Sequence, residues 1–278
     1  MNPRQPRSVL NRHIVGAAVA CMVIGAAPAA ASPAPIEPQQ DAAAAVVSSQ
    51  FDVNCRASHW LSDDPIVHPD MPGMAHEHEF FGNTETDASS TPDSLRDTQT
   101  TCDVKADDSG YWVPTLRKYG HRVAPTQLRM YYQRSTTTDE RIRAFPRGLV
   151  MIAGNSKATS PQSTEVVAWH CGGKGGNYKN PPSCGAADLV LTVRFPQCWD
   201  GERLDSADHK AHMARRVNRH CPSTHPIGVP RLVMNVHWKV GSNAGLSLAS
   251  GSIYSAHADF MNGWDQSRLQ DLVAALYP

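Results

Sequence analysis

The sequence predicts a mainly β, sandwich-like single domain with long loops, a short helix near Asp208 and one helix at the C-terminus. Its apolar segments are short, rich in valine and aromatic residues, and separated by Gly, Pro, Asn and Ser. Helical periodicity is clear only near the end of the chain. Because long helices do not alternate with the strands, a sandwich is favoured over a doubly wound parallel sheet.

The start of the chain has the features of a secretory signal peptide, predicted to span residues 1–31. Arginines without any acidic residue precede an apolar run at 14–27, and three alanines follow at 29–31. The run is short and rich in Gly and Ala for a membrane span, so a retained anchor is the weaker alternative. Residues 32–50 are rich in Pro, Ala and Gln and are predicted to form a disordered linker. The secreted domain should therefore span residues 51–278.

Charge argues against nucleic acid as a partner. The chain has 26 basic and 26 acidic residues, and removal of residues 1–31 takes away three arginines, which leaves a net charge near −3. No run of clustered Lys and Arg forms the footprint that nucleic-acid binding requires. We expect a secreted monomer without a membrane span in the mature chain.

The cysteines predict three disulfides. Six of the seven cysteines lie after the predicted leader, an even number that is typical of exported proteins. Several connectivities are possible, and the sequence-local pairs Cys171–Cys184 and Cys198–Cys221 are favoured. Cys55–Cys102 then follows by elimination. A cysteine-ligated zinc is the weaker alternative because no Cys-x-x-Cys pair occurs.

Six segments have the composition of β-strands. They are Tyr111-Trp-Val, Arg129-Met-Tyr-Tyr-Gln, Leu149-Val-Met-Ile-Ala, Glu165-Val-Val-Ala-Trp-His, Asp188-Leu-Val-Leu-Thr-Val-Arg-Phe and Arg231-Leu-Val-Met-Asn-Val-His-Trp. Pro196 ends the fifth segment and Pro230 precedes the sixth, as expected for proline at strand ends. Near the C-terminus, Asp265 can cap a helix with one apolar face. That face carries Leu269, Leu272, Val273 and Leu276.

The long loop of residues 198–226 is the most polar stretch of the domain and is predicted to be functional. It lies between two cysteines, with Trp199 beside the first, and contains several acids and imidazoles. These are Asp200, Asp205, Asp208, His209, His212, His220 and His225. The short helix predicted near Asp208 would place His209 and His212 on one face, and Thr224-His225-Pro226 would present His225 from an extended backbone. The alternative is a solvated, disulfide-clipped loop whose aspartates cap turns.

Two further segments carry candidate site residues. His76 and His78 are two residues apart, so in an extended segment they point the same way and could chelate one metal ion. His257 and Asp259 have the same spacing, and Asn262 and Trp264 follow them. A carboxylate, an imidazole, an amide and an indole together suit sugar binding. The alternative for the His-x-His pair is a surface pair without function.

Eight motifs, in this order, resemble a known family. They are Asp64-Pro-Ile-Val-His-Pro-Asp, His76-x-His78-x-Phe-Phe-Gly-Asn83, Tyr111-Trp-Val-Pro-Thr-Leu116, Phe145-Pro-Arg-Gly-Leu-Val-Met-Ile-Ala-Gly154, Phe195-Pro-Gln-Cys-Trp-Asp-Gly, Leu204-Asp-Ser-x-Asp-His-Lys-x-His212, Cys221-Pro-x-x-His-Pro226 and His257-Ala-Asp-Phe-x-Asn-Gly-Trp264. The chain resembles, over about residues 63–276, the secreted bacterial and fungal domain-of-unknown-function family nineteen-ninety-six. The resemblance implies export and an extracellular polysaccharide or cell-wall setting, and it implies no particular reaction. The chain departs from the family in Met74-Ala75 before His76 and in the absence of a closing cysteine at the C-terminus.

We therefore expect a secreted protein that acts on extracellular or cell-wall polysaccharide through a His/Asp-lined cleft, as a hydrolase, with metal assistance as one variant. The predicted catalytic residues are His76, His78, Asp200, Asp208, His209, His212, His225, His257 and Asp259. The predicted substrate-binding residues are Trp199, Asn262 and Trp264. A divalent metal would be held by some of His76, His78, His209 and His212. The alternatives are a non-catalytic carbohydrate- or cell-wall-binding module and an envelope scaffold without a ligand.

Overall fold

Two antiparallel sheets pack face to face in the computed structural model, which describes residues 48–138 and 140–277. The predicted signal peptide and residues 32–47 of the predicted linker lie outside the described residues. In chain order the strands are β1 (Gln50–Cys55), β2 (Ala57–Leu61), β3 (His78–Gly82), β4 (Gly110–Pro114), β5 (Leu116–Lys118), β6 (His121–Arg122), β7 (Gln127–Gln133), β8 (Val150–Gly154), β9 (Val167–Cys171), β10 (Gly175–Tyr178), β11 (Leu189–Arg194), β12 (Cys198–Trp199), β13 (Met213–Ala214), β14 (Ile227–Gly228), β15 (Arg231–Trp238), β16 (Leu246–Leu248) and β17 (His257–Met261). A 3-10 turn (Ile253–Ser255) precedes β17, and one α-helix, α1 (Gln266–Ala274), follows it.

The larger sheet has six strands in the order β1-β7-β15-β11-β9-β10, and the smaller has five in the order β2-β3-β4-β17-β8. Two three-stranded sheets, β13-β12-β14 and β16-β5-β6, lie beside them. The mainly β prediction is confirmed, and each of the six predicted strand segments contains a strand.

Alternating burial along the strands explains how the sandwich forms. On β7, Leu128, Met130 and Tyr132 are fully buried, whereas Arg129 and Tyr131 are partly exposed on the opposite face. Because successive residues of a strand point to opposite faces, each sheet presents one apolar face to the other. Both inner faces contribute to one apolar core.

A buried hydrogen-bonded chain links the two sheets. The indole Nε1 of Trp264 donates to the hydroxyl oxygen of Tyr132 at 2.9 Å, and the hydroxyls of Tyr132 and Tyr111 are 2.6 Å apart. The Tyr111 hydroxyl donates to the Asp107 carboxylate at 2.7 Å. Burial raises the pKa of Asp107 to about 7. The chain ties the β4 and β7 strands of opposite sheets at a defined register.

The predicted disulfides and C-terminal helix are confirmed. Cys55–Cys102, Cys171–Cys184 and Cys198–Cys221 are bonded as expected. Helix α1 begins after Asp265, whose carboxylate accepts a hydrogen bond from the Arg268 backbone N–H at 2.7 Å. Among the described residues, no helix is long and apolar enough to cross a membrane.

The short helix predicted near Asp208 is wrong, because residues 207–212 form turns. The Asp208 carboxylate accepts the backbone N–H groups of Lys210 and Ala211, at 3.1 and 2.8 Å, as a helix cap would. However, His209 has a φ of 56°, in the left-handed region, which turns the chain away from a helix.

The outer face of the five-stranded sheet has a small apolar cluster at one end and polar side chains at the other. Phe80, Trp112 and Met261 belong to this cluster, and Ile66 from the segment after β2 packs on it. His78, His257 and Asp259 lie on the same outer face, because their strand neighbours Phe81, Ala258 and Phe260 point into the sandwich core. The fold thus places polar side chains on a sheet face that loops cover.

Candidate functional site

Three histidines from two parts of the chain converge on the outer face of the five-stranded sheet. His78 is the first residue of β3 and His257 is the first of β17, with β4 between these two strands. His76 lies in the extended segment that leads into β3. The ring centroids of His76 and His78 are 4.2 Å apart, and His257 lies 5.0 and 5.7 Å from them. We call these three residues the histidine cluster.

The ring nitrogens of the histidine cluster are close enough to share one ion. One nitrogen from each ring lies within 4.8 Å of the other two. Among residues 48–138 and 140–277, the histidine cluster is the group of at least three His, Cys, Asp or Glu side chains whose possible ligand atoms lie this close together. Three imidazoles with an open further position are a ligand set that zinc and other divalent transition metals accept.

Hydrogen bonds to backbone carbonyls fix which nitrogen of each strand histidine is free. Nδ1 of His78 donates to the Asp63 carbonyl at 2.9 Å, and Nδ1 of His257 donates to the Ser255 carbonyl at 2.8 Å. Each neutral ring therefore keeps the lone pair on Nε2. The Nε2 atoms of His76 and His78 are buried without a hydrogen-bond partner. Metal-ligating histidines typically show this arrangement, with one nitrogen held by a carbonyl and the other free.

Asp259 adds a carboxylate to the histidine cluster. It is only 1% exposed, and neither of its oxygens has a hydrogen-bond partner. Its Oδ2 lies 3.8 Å from Nε2 of His257. Burial raises the pKa of Asp259 well above its ordinary value, the Asp64 carboxylate raises it further, and Lys210 lowers it. A buried carboxylate with no protein partner is unusual in a folded protein and is suited to interact with a bound cation.

Burial keeps the histidines neutral. It lowers the pKa of His76 to about 4, with a further contribution from His68, and the pKa of His257 to about 3. The pKa of fully buried His78 is lowered well below its usual range by burial and by its two neighbours. Neutral imidazole is the form that binds a metal ion.

The histidine cluster opens to solvent through a cleft of about 350 Å³. Its polar lining consists of Asp64, His68, His76, Lys157, His257 and Asp259, with Ser156 at the side. His76 is half-buried and faces this space, while His78 lies fully buried beneath it. A small molecule or one residue of a chain-like substrate can therefore reach the cluster from one side.

Two aspartates shape the segment that covers the cleft. The Asp63 carboxylate accepts the backbone N–H groups of Gly73 and Ala88, at 2.8 and 3.2 Å. Asp64 accepts those of Ile66 and Val67 and so forms a tight turn. Because the carbonyl of Asp63 also orients His78, the segment that covers the cleft is hydrogen-bonded directly to the histidine cluster.

Gly154 permits the close approach of β8 to His257. The two residues are paired in the sheet, and Gly154 has a φ of 89°. A Cβ atom there would lie 2.6 Å from the Ala256 carbonyl oxygen and 2.8 Å from the His257 Cα. A side chain at this position would displace His257, so the glycine is a requirement of the site.

The loop of residues 198–226 serves mainly to cover an edge strand. His212 is fully buried, and its Nε2 donates to the Val150 carbonyl on β8 at 2.8 Å while Nδ1 contacts the Ser206 hydroxyl at 3.0 Å. The Val150 N–H donates to the Leu204 carbonyl. Since β8 is the last strand of its sheet, these bonds satisfy an edge that would otherwise be unpaired.

His209 and His212, the two predicted metal ligands of this loop, lie outside the histidine cluster. Both ring nitrogens of His212 are occupied by protein partners, so His212 has no free donor for a metal ion. His209 contacts the Asp205 carboxylate through Nδ1 at 2.9 Å and is outside the histidine cluster. The structure brings His257 and Asp259 to His76 and His78 in place of His209 and His212.

The other predicted catalytic residues of the loop form turns. The Asp200 carboxylate accepts the N–H groups of Glu202 and Arg203. Exposed Asp208 accepts backbone N–H groups, which together lower its pKa to about 2 and leave it a weak base. Nε2 of His225 donates to the Ala211 carbonyl at 3.0 Å. In the structure Asp200, Asp208 and His225 therefore bond within the loop. This agrees with the alternative of a disulfide-clipped loop whose aspartates cap turns.

Two of the three predicted sugar-binding residues are buried. Trp264 is 2% exposed and donates to Tyr132, and Asn262, also 2% exposed, donates to the Pro146 carbonyl at 2.8 Å. Neither side chain can contact a polysaccharide in this conformation. Trp199 is partly exposed, and its Nε1 donates to the Arg203 carbonyl at 2.6 Å.

Sequence reasoning missed two charged residues near the histidine cluster. Lys210 donates to the Gly154 carbonyl at 2.7 Å, which brings its ammonium close enough to lower the pKa of both His257 and Asp259. Asp64 lines the cleft, and burial raises its pKa. The signal for Asp64 is its position before a proline at a turn, whereas no local pattern predicts the contact of Lys210.

The chain belongs to the family described as Domain of unknown function (DUF1996), whose model matches residues 64–264. This confirms the resemblance stated from the motifs and covers all four site residues. No curated protein and no solved structure matches the chain significantly. The family description names no activity, so function must be argued from the site itself.

Proposed function

We propose that this protein is an exported, metal-dependent hydrolase that acts on extracellular or cell-wall polysaccharide. The observation that carries the proposal is the histidine cluster with buried Asp259 beside it. Unpaired imidazole nitrogens cost stability in the metal-free chain, and a divalent cation bound by the three histidines would satisfy them, with the unpaired carboxylate of Asp259 beside it. The three disulfides fit export.

The residues divide into ligands and supports. Nε2 of His76, His78 and His257 would hold the ion, and the carbonyls of Asp63 and Ser255 orient the rings of His78 and His257. A bound divalent cation would supply Lewis acidity and lower the pKa of a water molecule in the cleft. This chemistry is one route to hydrolysis of a stable glycosidic or ester bond.

Asp259 is suited to act beside the ion as a proton acceptor or as a further ligand. Its Oδ2 lies 3.8 Å from Nε2 of His257, and its side chain lines the cleft. Lys210, on the edge-covering loop, contributes positive charge near Asp259 and would stabilise its ionised form. Asp259 is thus positioned to assist proton transfer at the histidine cluster.

A non-catalytic sugar-binding module is the alternative, and burial of Trp264 and Asn262 removes two of its three expected contacts. A turnover assay separates the alternatives. Purified protein is stripped with a chelator, reloaded with zinc, cobalt, manganese or copper, and incubated with a panel of polysaccharides. Release of reducing ends is then measured.

We expect turnover with at least one metal, loss on chelation, and loss of at least 100-fold in His78→Ala and His257→Ala. His220→Ala is the matched control, because His220 is 62% exposed and pairs with Glu140 outside the cluster. Turnover that survives chelation, or equal loss in His220→Ala, would contradict the metal mechanism. The absence of turnover on every polysaccharide with every metal would contradict the hydrolase.

A further inference from the structure

The outer face of the six-stranded sheet, on the far side of the sandwich from the histidine cluster, carries a second polar surface. Arg194 on β11 and Arg231 on β15 point outward, because their neighbours Val193 and Leu232 are buried in the sandwich core. Gln133 on β7 lies between them and the edge of the sheet. The mature chain has a net charge near −3, so positive charge on this face is a local feature.

Two adjoining cavities of about 310 and 230 Å³ run across this face and share Gln133 and Arg231. Together they form what we call the arginine groove. Its guanidinium groups come from Arg134, Arg194, Arg216, Arg219 and Arg231. None of the described residues that line it is Asp or Glu.

Most of these arginines are paired with neutral oxygens. Arg194 donates to the Thr164 carbonyl at 2.9 Å and to the Asn177 side chain at 2.8 Å, and Arg231 donates to the Gln133 amide oxygen at 2.7 Å. Among the described residues, neither arginine forms a salt bridge. Arg216 does pair with Glu140, but its Nε and Nη2 atoms are buried without a partner.

The positive charges repel one another. Burial lowers the pKa of Arg194, the nearby charge of Arg231 lowers it further, and the Glu165 carboxylate raises it in part. The same two causes, in the same order, lower the pKa of neighbouring Arg215. Like charges held together in a groove favour a ligand that carries negative charge at intervals along its length.

Neutral polar side chains between the arginines indicate the chemistry of that ligand. Tyr131, His170, Thr192 and Asn235 line the groove, and Tyr178 beside it is 54% exposed. Hydroxyls, amides and an imidazole can bond sugar hydroxyls, and the tyrosine rings offer flat faces. A net charge near −3 without the predicted signal peptide disfavours a polynucleotide.

We propose that the arginine groove binds a linear polysaccharide that bears carboxylates, a glycan rich in uronic acids. The forked guanidinium groups would bind its carboxylates in pairs of hydrogen bonds, and the neutral side chains would bind its hydroxyls. The proposal rests on the extracellular glycan setting of the proposed function and not on the metal chemistry. The groove would hold the protein on its substrate or on the wall, at a site separate from the cleft.

The test measures binding of polygalacturonate oligosaccharides by calorimetry, with a neutral glucan of the same length and a single-stranded DNA as comparison ligands. We expect polygalacturonate to bind, with affinity that falls as salt rises, and the glucan to bind at least tenfold more weakly. Arg231→Gln and Arg194→Gln should each weaken binding by about tenfold or more. Arg203→Gln is the matched control, because exposed Arg203 pairs with Asp200 in the loop of residues 198–226, outside the groove, and should leave affinity unchanged.

Thermal unfolding checks that each variant folds, and Arg219→Gln replaces Arg194→Gln if the latter does not. Equal binding of polygalacturonate and glucan, equal or tighter binding of DNA, or an equal effect of Arg203→Gln would overturn the proposal. Binding is measured in chelator and with His76→Ala as well. Retained binding without turnover would support the groove while contradicting the hydrolase, so the two failures are distinguishable.

Discussion

Replacement of Asp259 by leucine is predicted to stabilise the metal-free protein. Asp259 is 1% exposed and both of its oxygens lack a partner, so the chain keeps a buried polar group that nothing satisfies. Leaving such a group unpaired costs about 1–3 kcal/mol. Leucine removes this cost, and the adjoining cleft leaves room for its larger side chain. At roughly 2–4 °C per kcal/mol for a chain of this size, the melting temperature should rise by about 2–12 °C.

Metal should narrow the difference in stability between Asp259→Leu and the wild type. A ligand present at about 100 times its Kd stabilises the folded state by about 2.7 kcal/mol, and loss of a group beside the ion weakens metal affinity by about 10–100-fold. Zinc should therefore raise the melting temperature of the wild type more than that of Asp259→Leu. The assay is differential scanning calorimetry at pH 7, with and without zinc.

Two matched variants test the reasoning. Asp259→Asn keeps a polar group of the same size, so its metal-free stability should gain much less than that of Asp259→Leu. Met261→Leu, two residues along the same face of β17, should change stability by less than about 1.5 kcal/mol and leave the response to zinc intact. A less stable metal-free Asp259→Leu, or an equal zinc response in it and the wild type, would refute the account of Asp259.

Three further predictions concern the scaffold. Burial raises the folded-state pKa of Asp107 to about 7 from 3.8, so between pH 4 and 7 the folded state holds a proton that the unfolded state loses. The contribution of this carboxyl to stability therefore falls by about 1.4 kcal/mol per pH unit over that range. Asp107→Asn should remove that fall, seen as a variant-minus-wild-type difference in urea midpoints that grows with pH; a flat difference would contradict the pKa. Arg122 binds the fully buried Glu79 carboxylate at 2.6 and 2.7 Å, so Arg122→Ala leaves that carboxylate unpaired. Urea unfolding should show a loss of stability on the order of 3 kcal/mol, with recovery when Glu79→Gln is added. No recovery would count against the pairing. Asp265→Ala should cost about 1 kcal/mol by loss of the cap of α1, and an unchanged melting temperature would exclude that role.

Most of the sandwich could be predicted because strand periodicity is a local property. The segments that contain β7, β11 and β15 alternate or run apolar in a way that few other structures allow. The disulfide pairs are largely local as well. The strand β2 has no such pattern, since its side chains are partly or largely exposed, and its sequence did not identify it as a strand.

The site was predictable in part for the same reason. His76 with His78, and His257 with Asp259, are pairs at a spacing of two residues, and each pair lies on one side of an extended segment as expected. That the two pairs meet depends on β4, which lies between β3 and β17 in the sheet. No pattern in the sequence encodes that pairing, so the set of four could not be separated from the other histidines.

Long-range contacts explain why two predicted site residues, His212 and Trp264, bond to protein partners away from the cleft. His212 has a functional spacing from His209, yet its donor is taken by the Val150 carbonyl, which lies 62 residues away in sequence. Trp264 is buried because Tyr132, 132 residues away, accepts its N–H. In both cases the side chain type suggested ligand binding, and a partner from a distant strand decided the outcome.

The proposed function depends on a single metal ion bound by the histidine cluster. Anomalous X-ray diffraction from crystals of the zinc-loaded protein, recorded on both sides of the zinc absorption edge, locates such an ion. We expect one zinc peak about 2.0–2.1 Å from Nε2 of His76, His78 and His257, absent from crystals of His257→Ala. A zinc-loaded crystal with no peak at these nitrogens, or with its peak at His209 or another exposed histidine, would contradict it.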